Sequence, residues 1–541
     1  MKERYCDVLV IGGGAAGARA AYEAKRAFPS EDVVLAVTGT YEGGGSTNIV
    51  ASEALGINAP FNYMNDGDDP AIYLDDMLKT GGGLGDASLC AILANESEPR
   101  ILELMAMGVD FVRCDGHPEQ QKLSGCTKAR SLTCGGSTGR QITGALKRAL
   151  LQAGVSLHEQ TQMLRLCQDD NGTVCGAYGR NMDGPVQYTA KAVVLATGGA
   201  GNIFETNVTP ATQTGDGWAM AYEVGCRFVN MEFFQIGPAV AHASMKFIIH
   251  SHMWRFLPKL SNCAGEELLS RYCSEGVTPE EALADKAMSY PFSVRTNAKY
   301  VDIAVFKELM QGRGGPNGGV YFDVRHVGKD ALLQRAPITY RTLLAAGIDC
   351  AVEPFELTMA VQNFNGGVCI DKNGWTGVEG LYAAGEVTGG VHGSDRPGGN
   401  NLTDTQVFGY RAGRSAAAHA ATCGDVHPEA DDTFLRTETT EDERLVMRES
   451  ERLYYRNMTV VRTDEGLREV QEFVQRHFRS ENSLPLRNRL LLGGIFAEAL
   501  RNRTESRGTH YREDYPASSD AWLKRQIIRR GEDGAPTVQI S

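Results

Sequence analysis

Asp7-Val-Leu-Val-Ile-Gly-Gly-Gly-Ala-Ala-Gly-Ala-Arg-Ala-Ala-Tyr-Glu-Ala24 is an apolar run, a glycine-rich turn and an alanine-rich stretch, the pattern of strand, phosphate loop and helix. Gly12, Gly14 and Gly17 stand in G-x-G-x-x-G spacing. The first glycine permits the tight turn, the second lets backbone N–H groups approach a pyrophosphate, and the third lets helix and strand pack closely. The helix opens at Ala15 and Ala16 with the positive end of its dipole toward the phosphates. A second apolar strand, Val33-Val-Leu-Ala-Val37, follows at βαβ spacing. The acidic residue that often grips a ribose at the end of that strand is absent: Val37 and Thr38 stand there.

Further along, Ala192-Val-Val-Leu-Ala-Thr-Gly198-Gly reads as a buried strand ending in a glycine turn, a second place to bring backbone against a dinucleotide. Glu379-Gly-Leu-Tyr-Ala-Ala-Gly-Glu386 repeats the device. The dinucleotide fold is therefore read as discontinuous, over 1–240 and 350–425, with an insertion at 241–349 and a helical region over 426–541, rich in Arg and Glu from Glu438. Between Asp86 and Arg113, Leu89, Ile92, Leu93, Ile101, Leu102, Leu104 and Met105 recur at helical spacing and predict a packed helical pair.

Composition narrows the function. A chain of 541 residues, 42% apolar and 22% charged, has room for several domains. A net charge of -13 argues against nucleic acid or anionic lipid as the main partner. No apolar run reaches the roughly 20 residues of a membrane span, and the start has no signal-peptide pattern, so the expectation is a cytoplasmic protein without direct membrane insertion. The thirteen cysteines are scattered with no Cys-x-x-Cys pair, which argues against a resident iron–sulfur cluster or other metal.

Several segments in order resemble the flavoprotein family of succinate dehydrogenase, fumarate reductase, L-aspartate oxidase and adenylylsulfate reductase. They are Gly45-Ser-Thr, Thr138-Gly-Arg, Thr214-Gly-Asp-Gly-Trp, Met231-Glu-Phe-Phe-Gln, Gly385-Glu-Val, His392-Gly-Ser-Asp-Arg-Pro-Gly-Gly-Asn-Asn-Leu402 and Glu505-Ser-Arg-Gly-Thr-His-Tyr-Arg-Glu-Asp-Tyr-Pro516. The resemblance implies an α/β fold: a discontinuous Rossmann-like FAD-binding domain, an inserted α+β capping domain and a C-terminal helical domain. It implies FAD held by Gly12, Gly14, Ala15, Ala16, Gly17, Thr38, Ser46, Thr47, Gly198, Asp216, Glu386, Asn400, Asn401 and Leu402. Asp216 would approach the adenosine part, Glu386 would accept from a ribose or ribityl hydroxyl, and Asn400 and Asn401 would start a helix against the flavin pyrimidine. Relatives that bind flavin covalently use a His just before the Thr at Thr47. Here Ser46 stands there, so FAD is expected to be noncovalent.

The resemblance aligns the family's proton-transferring arginine with Arg295 in Pro291-Phe-Ser-Val-Arg-Thr-Asn, and the arginine that clamps a substrate carboxylate with Arg396. His392 opens the Arg396 motif and either fixes the turn or touches substrate. Two histidines usual in members acting on C4 dicarboxylates are replaced by Gly237 and Gln362, and the Arg-Gly-Glu-Gly proton relay by His250-Ser-His-Met-Trp-Arg-Phe-Leu-Pro-Lys259. Glycine opens volume and removes a donor, leaving a second carboxylate short of a partner at roughly 1–3 kcal/mol per lost bond. Plain fumarate, succinate or aspartate is disfavoured, and a bulkier or less charged anion fits better. His250, His252, Trp254 and Arg255 are candidates for a remodelled pocket or for packing.

The leading expectation is an FAD-dependent oxidoreductase that moves hydride between flavin N5 and a small anionic substrate, reducing an enoate-type C=C bond or running the desaturation. Alternatives are an amino-acid or amine oxidase like L-aspartate oxidase, flavin–sulfite chemistry, and a non-catalytic electron-transfer flavoprotein. The Glu505–Pro516 motif is compatible with an iron–sulfur electron-transfer partner, through which the chain would sit peripheral to a membrane.

Overall fold

The computed structural model describes residues 2–49, 52–53, 55–64, 67–428 and 436–541. Five parallel strands form the centre, in the order Ser156–His158, Val33–Ala36, Lys2–Ile11, Gly184–Leu195, Leu381–Ala383. Val174–Asn181 and Gln162–Gln168 extend the sheet antiparallel from the first half of Gly184–Leu195. Strands so apolar are buried on both faces, as a sheet covered by helices on each side requires. The register places Ile11 beside Ala36 and Leu195, and Leu195 beside Ala383, so the carboxyl ends of four strands open at one edge. That edge is where open α/β sheets bind ligands.

Two glycines make the first turn. Gly12 has φ +110°, and a Cβ on it would lie 2.3 Å from the Ala196 carbonyl oxygen. A Cβ on Gly17 would lie 1.8 Å from the Gly12 carbonyl, so only glycine lets the helix Ala15–Ala27 seat on the strand. Its neighbour in space is the long helix Asn400–Thr422, whose first turn also reaches the sheet edge.

The stretch expected to hold a helical pair forms one helix, Ala87–Ala106, which passes through Pro99. Leu89, Leu93, Ile101 and Leu104 bury one face across the proline. That packing holds the helix together against a local cost of about 3 kcal/mol for a proline in a helix interior.

A four-stranded antiparallel sheet, Phe234–Val240, Phe355–Phe364, Val320–Asp323 and Lys259–Ser261, carries the inserted helices Pro279–Lys286, Lys299–Met310 and Pro337–Ala345. Three helices follow late in the chain: Glu441–Met458, Asp464–His477 and Leu484–Asn502. Beyond them a hairpin, Gln526–Arg530 with Pro536–Ile540, returns to pair Ile528 with Phe228. These two short strands were not anticipated, because their partner lies far away in sequence. Among the described residues no helix is long and apolar enough to cross a membrane.

Candidate active site

At the carboxyl edge of the sheet lies a cavity of about 430 Å³. Gly12, Gly14, Ala15, Ala16, Thr38, Ser46, Thr47, Gly198, Asp216, Glu386, Asn401 and Leu402 line it. Gly17 lies off the wall because it packs on Gly12, and Asn400 because its Oδ1 accepts from Asn58 Nδ2 and Tyr73 Oη, each at 2.7 Å. Thr47 Oγ1 accepts from the Ala15 N–H at 3.3 Å, tying the Ser46–Ile49 turn to the glycine loop.

Two carboxylates mark different regions of the cavity. Asp216 accepts from Thr214 Oγ1 at 2.7 Å and from Asn488 Nδ2 at 2.8 Å, the latter on the helix Leu484–Asn502. Glu386 accepts from the Phe364 N–H at 3.2 Å and Gln213 Nε2 at 3.3 Å. Burial pushes its carboxyl up to about 7. An acceptor this poorly supplied suits a hydroxyl donor arriving with a ligand. A Cβ on Gly14 would meet only Thr47 Oγ1, at 3.6 Å, so the loop leaves an open cradle there. Open loop, helix start and underused acceptor together fit a dinucleotide.

A second group of side chains lies toward the inserted segment. Arg396 is buried on the wall, and its Nη2 donates to Gln235 Oε1 at 2.7 Å. Its Nε is buried without a partner, and burial lowers its pKa. Gln235 Nε2 donates to Asp395 Oδ1 at 3.3 Å, and Asp395 Oδ2 accepts from Arg295 Nε at 3.0 Å and Nη2 at 2.7 Å. Arg295 itself lies off the cavity wall with its side chain 33% exposed. The buried guanidinium is thus that of Arg396, whereas Arg295 shares its charge with a carboxylate and faces solvent.

Gly237 also lies off the wall, for a different reason. A Cβ there would come within 2.2 Å of Tyr290 Oη. The volume expected to open at Gly237 is filled by Tyr290, which lines the cavity and donates to Gln362 Oε1 at 2.6 Å. His250 lies against Tyr290 with ring centres 4.4 Å apart. Burial, helped by neighbouring His252, pushes His250 down to about 3, so it is neutral, and its Nε2 has no partner.

The other proposed pocket residues turn elsewhere. His252 Nε2 meets Thr339 Oγ1 at 2.9 Å, Trp254 Nε1 donates to the Ile249 carbonyl at 3.2 Å, and Arg255 is exposed. His392 is buried off the wall, its Nε2 3.3 Å from Asp404 Oδ2 but without a hydrogen-bond partner. The Glu505–Pro516 segment braces the turn after His392 and the Arg295 segment: the Thr509 N–H donates to the Ser394 carbonyl at 3.0 Å, and the Val294 N–H donates to the Gly508 carbonyl at 2.8 Å. Sequence reasoning missed Tyr290, Gln213 and Asp395. For Asp395 a signal was present, an acid directly before Arg396.

Comparison with known proteins adds a family context. Residues 7–402 match the FAD binding domain family and residues 479–541 the fumarate reductase flavoprotein C-terminal family. The chain is 31% identical to a fumarate reductase (CoM/CoB) subunit of Methanothermobacter marburgensis, over 97% of each chain. It is 29% identical to L-aspartate oxidase of Streptomyces coelicolor, over 99% of this chain and 93% of that one. Mycobacterium smegmatis Sdh1, solved in complex with UQ1, superposes with a TM-score of 0.86 at 28% identity, covering 100% of this chain and 94% of its own.

Proposed function

Because this chain belongs to the fumarate reductase/succinate dehydrogenase family of FAD-dependent oxidoreductases, we propose that it reduces an activated C=C bond in a small organic anion, or runs the reverse desaturation. The observation that carries this reading is Arg396: a buried guanidinium on the wall of the cavity that also holds the glycine loop. FAD, when bound, supplies the hydride acceptor and donor. The loop at Gly12 and Gly14, Thr47, Asp216, Glu386 and Asn401 hold it noncovalently, Ser46 having no imidazole to offer.

Arg396 receives the carboxylate of the substrate. A planar guanidinium in a water-poor site orients a carboxylate and polarises the attached double bond. Arg295 moves the proton. Asp395 holds its guanidinium, and its exposed edge lets solvent replace a proton given up. Delivery requires the Arg295 side chain to turn from Asp395 toward the cavity. His250 is no rival acid, because its neutral ring has no imidazolium proton to give near neutral pH.

Electrons enter through a partner protein of the iron–sulfur type. The support is that the M. marburgensis relative is named as one subunit of a reductase. Anaerobic mixing of the reduced protein with enoates, and of the oxidised protein with amino acids and sulfite, tests the reading. Reoxidation by an enoate supports it; flavin bleaching of the oxidised protein by an amino acid alone overturns it.

A further inference from the structure

Gly237, Tyr290, Gln362 and His250 act as one unit. Gly237 lies opposite Ala360 in the strand pair Phe234–Val240 and Phe355–Phe364, and Gln362 follows two residues later, at a bulge where the register shifts. Tyr290 crosses this strand pair, packed in an apolar cluster with Ala360, Ile248 and Val208. Any side chain at 237 would displace its ring, so the glycine is what admits the tyrosine. The phenol then occupies the Gln362 carbonyl oxygen, which leaves the amide N–H2 as the group that Gln362 can offer a ligand. His250 adds a second unpartnered nitrogen to this wall.

Charge at this wall is as informative as shape. Among the described residues, Arg396 is the only Lys or Arg lining the cavity. Behind Tyr290, Lys286 is buried but bound to Asp302 at 2.6 Å, so the pair carries no net charge. A second carboxylate placed here would be desolvated without a counter-ion.

Resting on the enoate reading above, we propose that the substrate is a monoanion whose carboxylate binds Arg396 and whose far end is a neutral hydrogen-bond acceptor, an ester, amide or ketone carbonyl, received by the Gln362 amide and His250, with the Tyr290 hydroxyl spent on holding that amide. Tyr290 is the specificity-determining residue: it closes the space of a second anion site and orients the amide that replaces it. The subsite is built for a carbonyl oxygen, which needs a donor and no charge.

The test uses the FAD-loaded protein. In one arm the reduced protein is reoxidised anaerobically by fumarate or by monomethyl fumarate. In the other, the oxidised flavin spectrum is titrated with succinate or monomethyl succinate, which requires no turnover. The half-ester should exceed the diacid by about tenfold or more in kcat/KM, and monomethyl succinate should bind tighter by a similar factor. Tyr290→Phe, which keeps the ring and removes the hydroxyl, should erode both preferences several-fold while retaining flavin. Equal or better use of the diacid overturns the inference and leaves the enoate reading standing. If neither fumarate nor its half-ester reoxidises the flavin, that reading fails, and the binding arm still decides: succinate binding as tightly as its half-ester, or neither perturbing the spectrum, overturns the inference.

Discussion

Asp395 Oδ2 accepts from both Nε and Nη2 of Arg295, at 3.0 and 2.7 Å, while its other oxygen takes the backbone N–H of Arg396 at 2.8 Å. One buried carboxylate thus sets two guanidinia relative to one another. If Arg295 delivers the proton, Arg295→Lys should lower kcat by about 10²–10⁴-fold with little change in substrate affinity. Asp395→Asn keeps the shape but frees the guanidinium, and should lower kcat less while shifting its pH profile. Single-turnover reoxidation measures both. Parent-like turnover of Arg295→Lys would move the acid to the wall around Tyr290.

Arg396→Met should damage binding and orientation together. Removing the only cation on the wall among the described residues should cost about 2–5 kcal/mol in kcat/KM, with KM rising as kcat falls. Flavin content should be unchanged, since the cofactor assignments use other side chains. A rise in KM alone would limit Arg396 to binding.

Flavin affinity should depend on pH through Glu386. Burial raises this carboxyl to about 7, and an arriving hydroxyl donor favours the ionised form, so its pKa falls on binding and a proton is released. Affinity is then full above about 7 and weakens as pH falls, by at most about tenfold per unit for one proton. Titrating apoprotein with FAD from pH 5 to 8 measures the slope. Glu386→Gln should flatten it and weaken binding throughout.

Acid precipitation should separate flavin from protein. Ser46 lines the cavity at the position from which relatives form a histidyl bond. Its hydroxyl is a poor nucleophile beside an imidazole, so the yellow colour belongs in the supernatant. Colour in the washed pellet refutes this.

The parts of the fold legible in sequence are those where cause and effect lie close together. Gly17 announces its turn because the atom it must clear is the carbonyl of Gly12 in the same motif, whereas Gly12 must clear the distant Ala196 and is legible only through that motif. Arg396 is legible because a whole motif surrounds it. Tyr290 is not: its place depends on a glycine in another strand and a glutamine in a third segment, none of which signals the others locally. Gly237 alone reads as space, and only the fold shows what fills it. The unbroken helix at Ala87–Ala106 makes a similar point, since the apolar spacing reads as a helical pair and tertiary packing carries one helix through Pro99.

The hairpin Gln526–Arg530 and Pro536–Ile540 closes against Phe228–Val229, Asn488 supports Asp216, and Gly508 holds Val294. A ribosome making this chain releases the glycine loop well before the segments that steady the cavity. Nascent chains stopped short of these segments should fold their parallel sheet yet fail to retain flavin. Cofactor capture would then wait for the late segments, and adding FAD to such shortened chains should leave it unbound while the full chain takes it up.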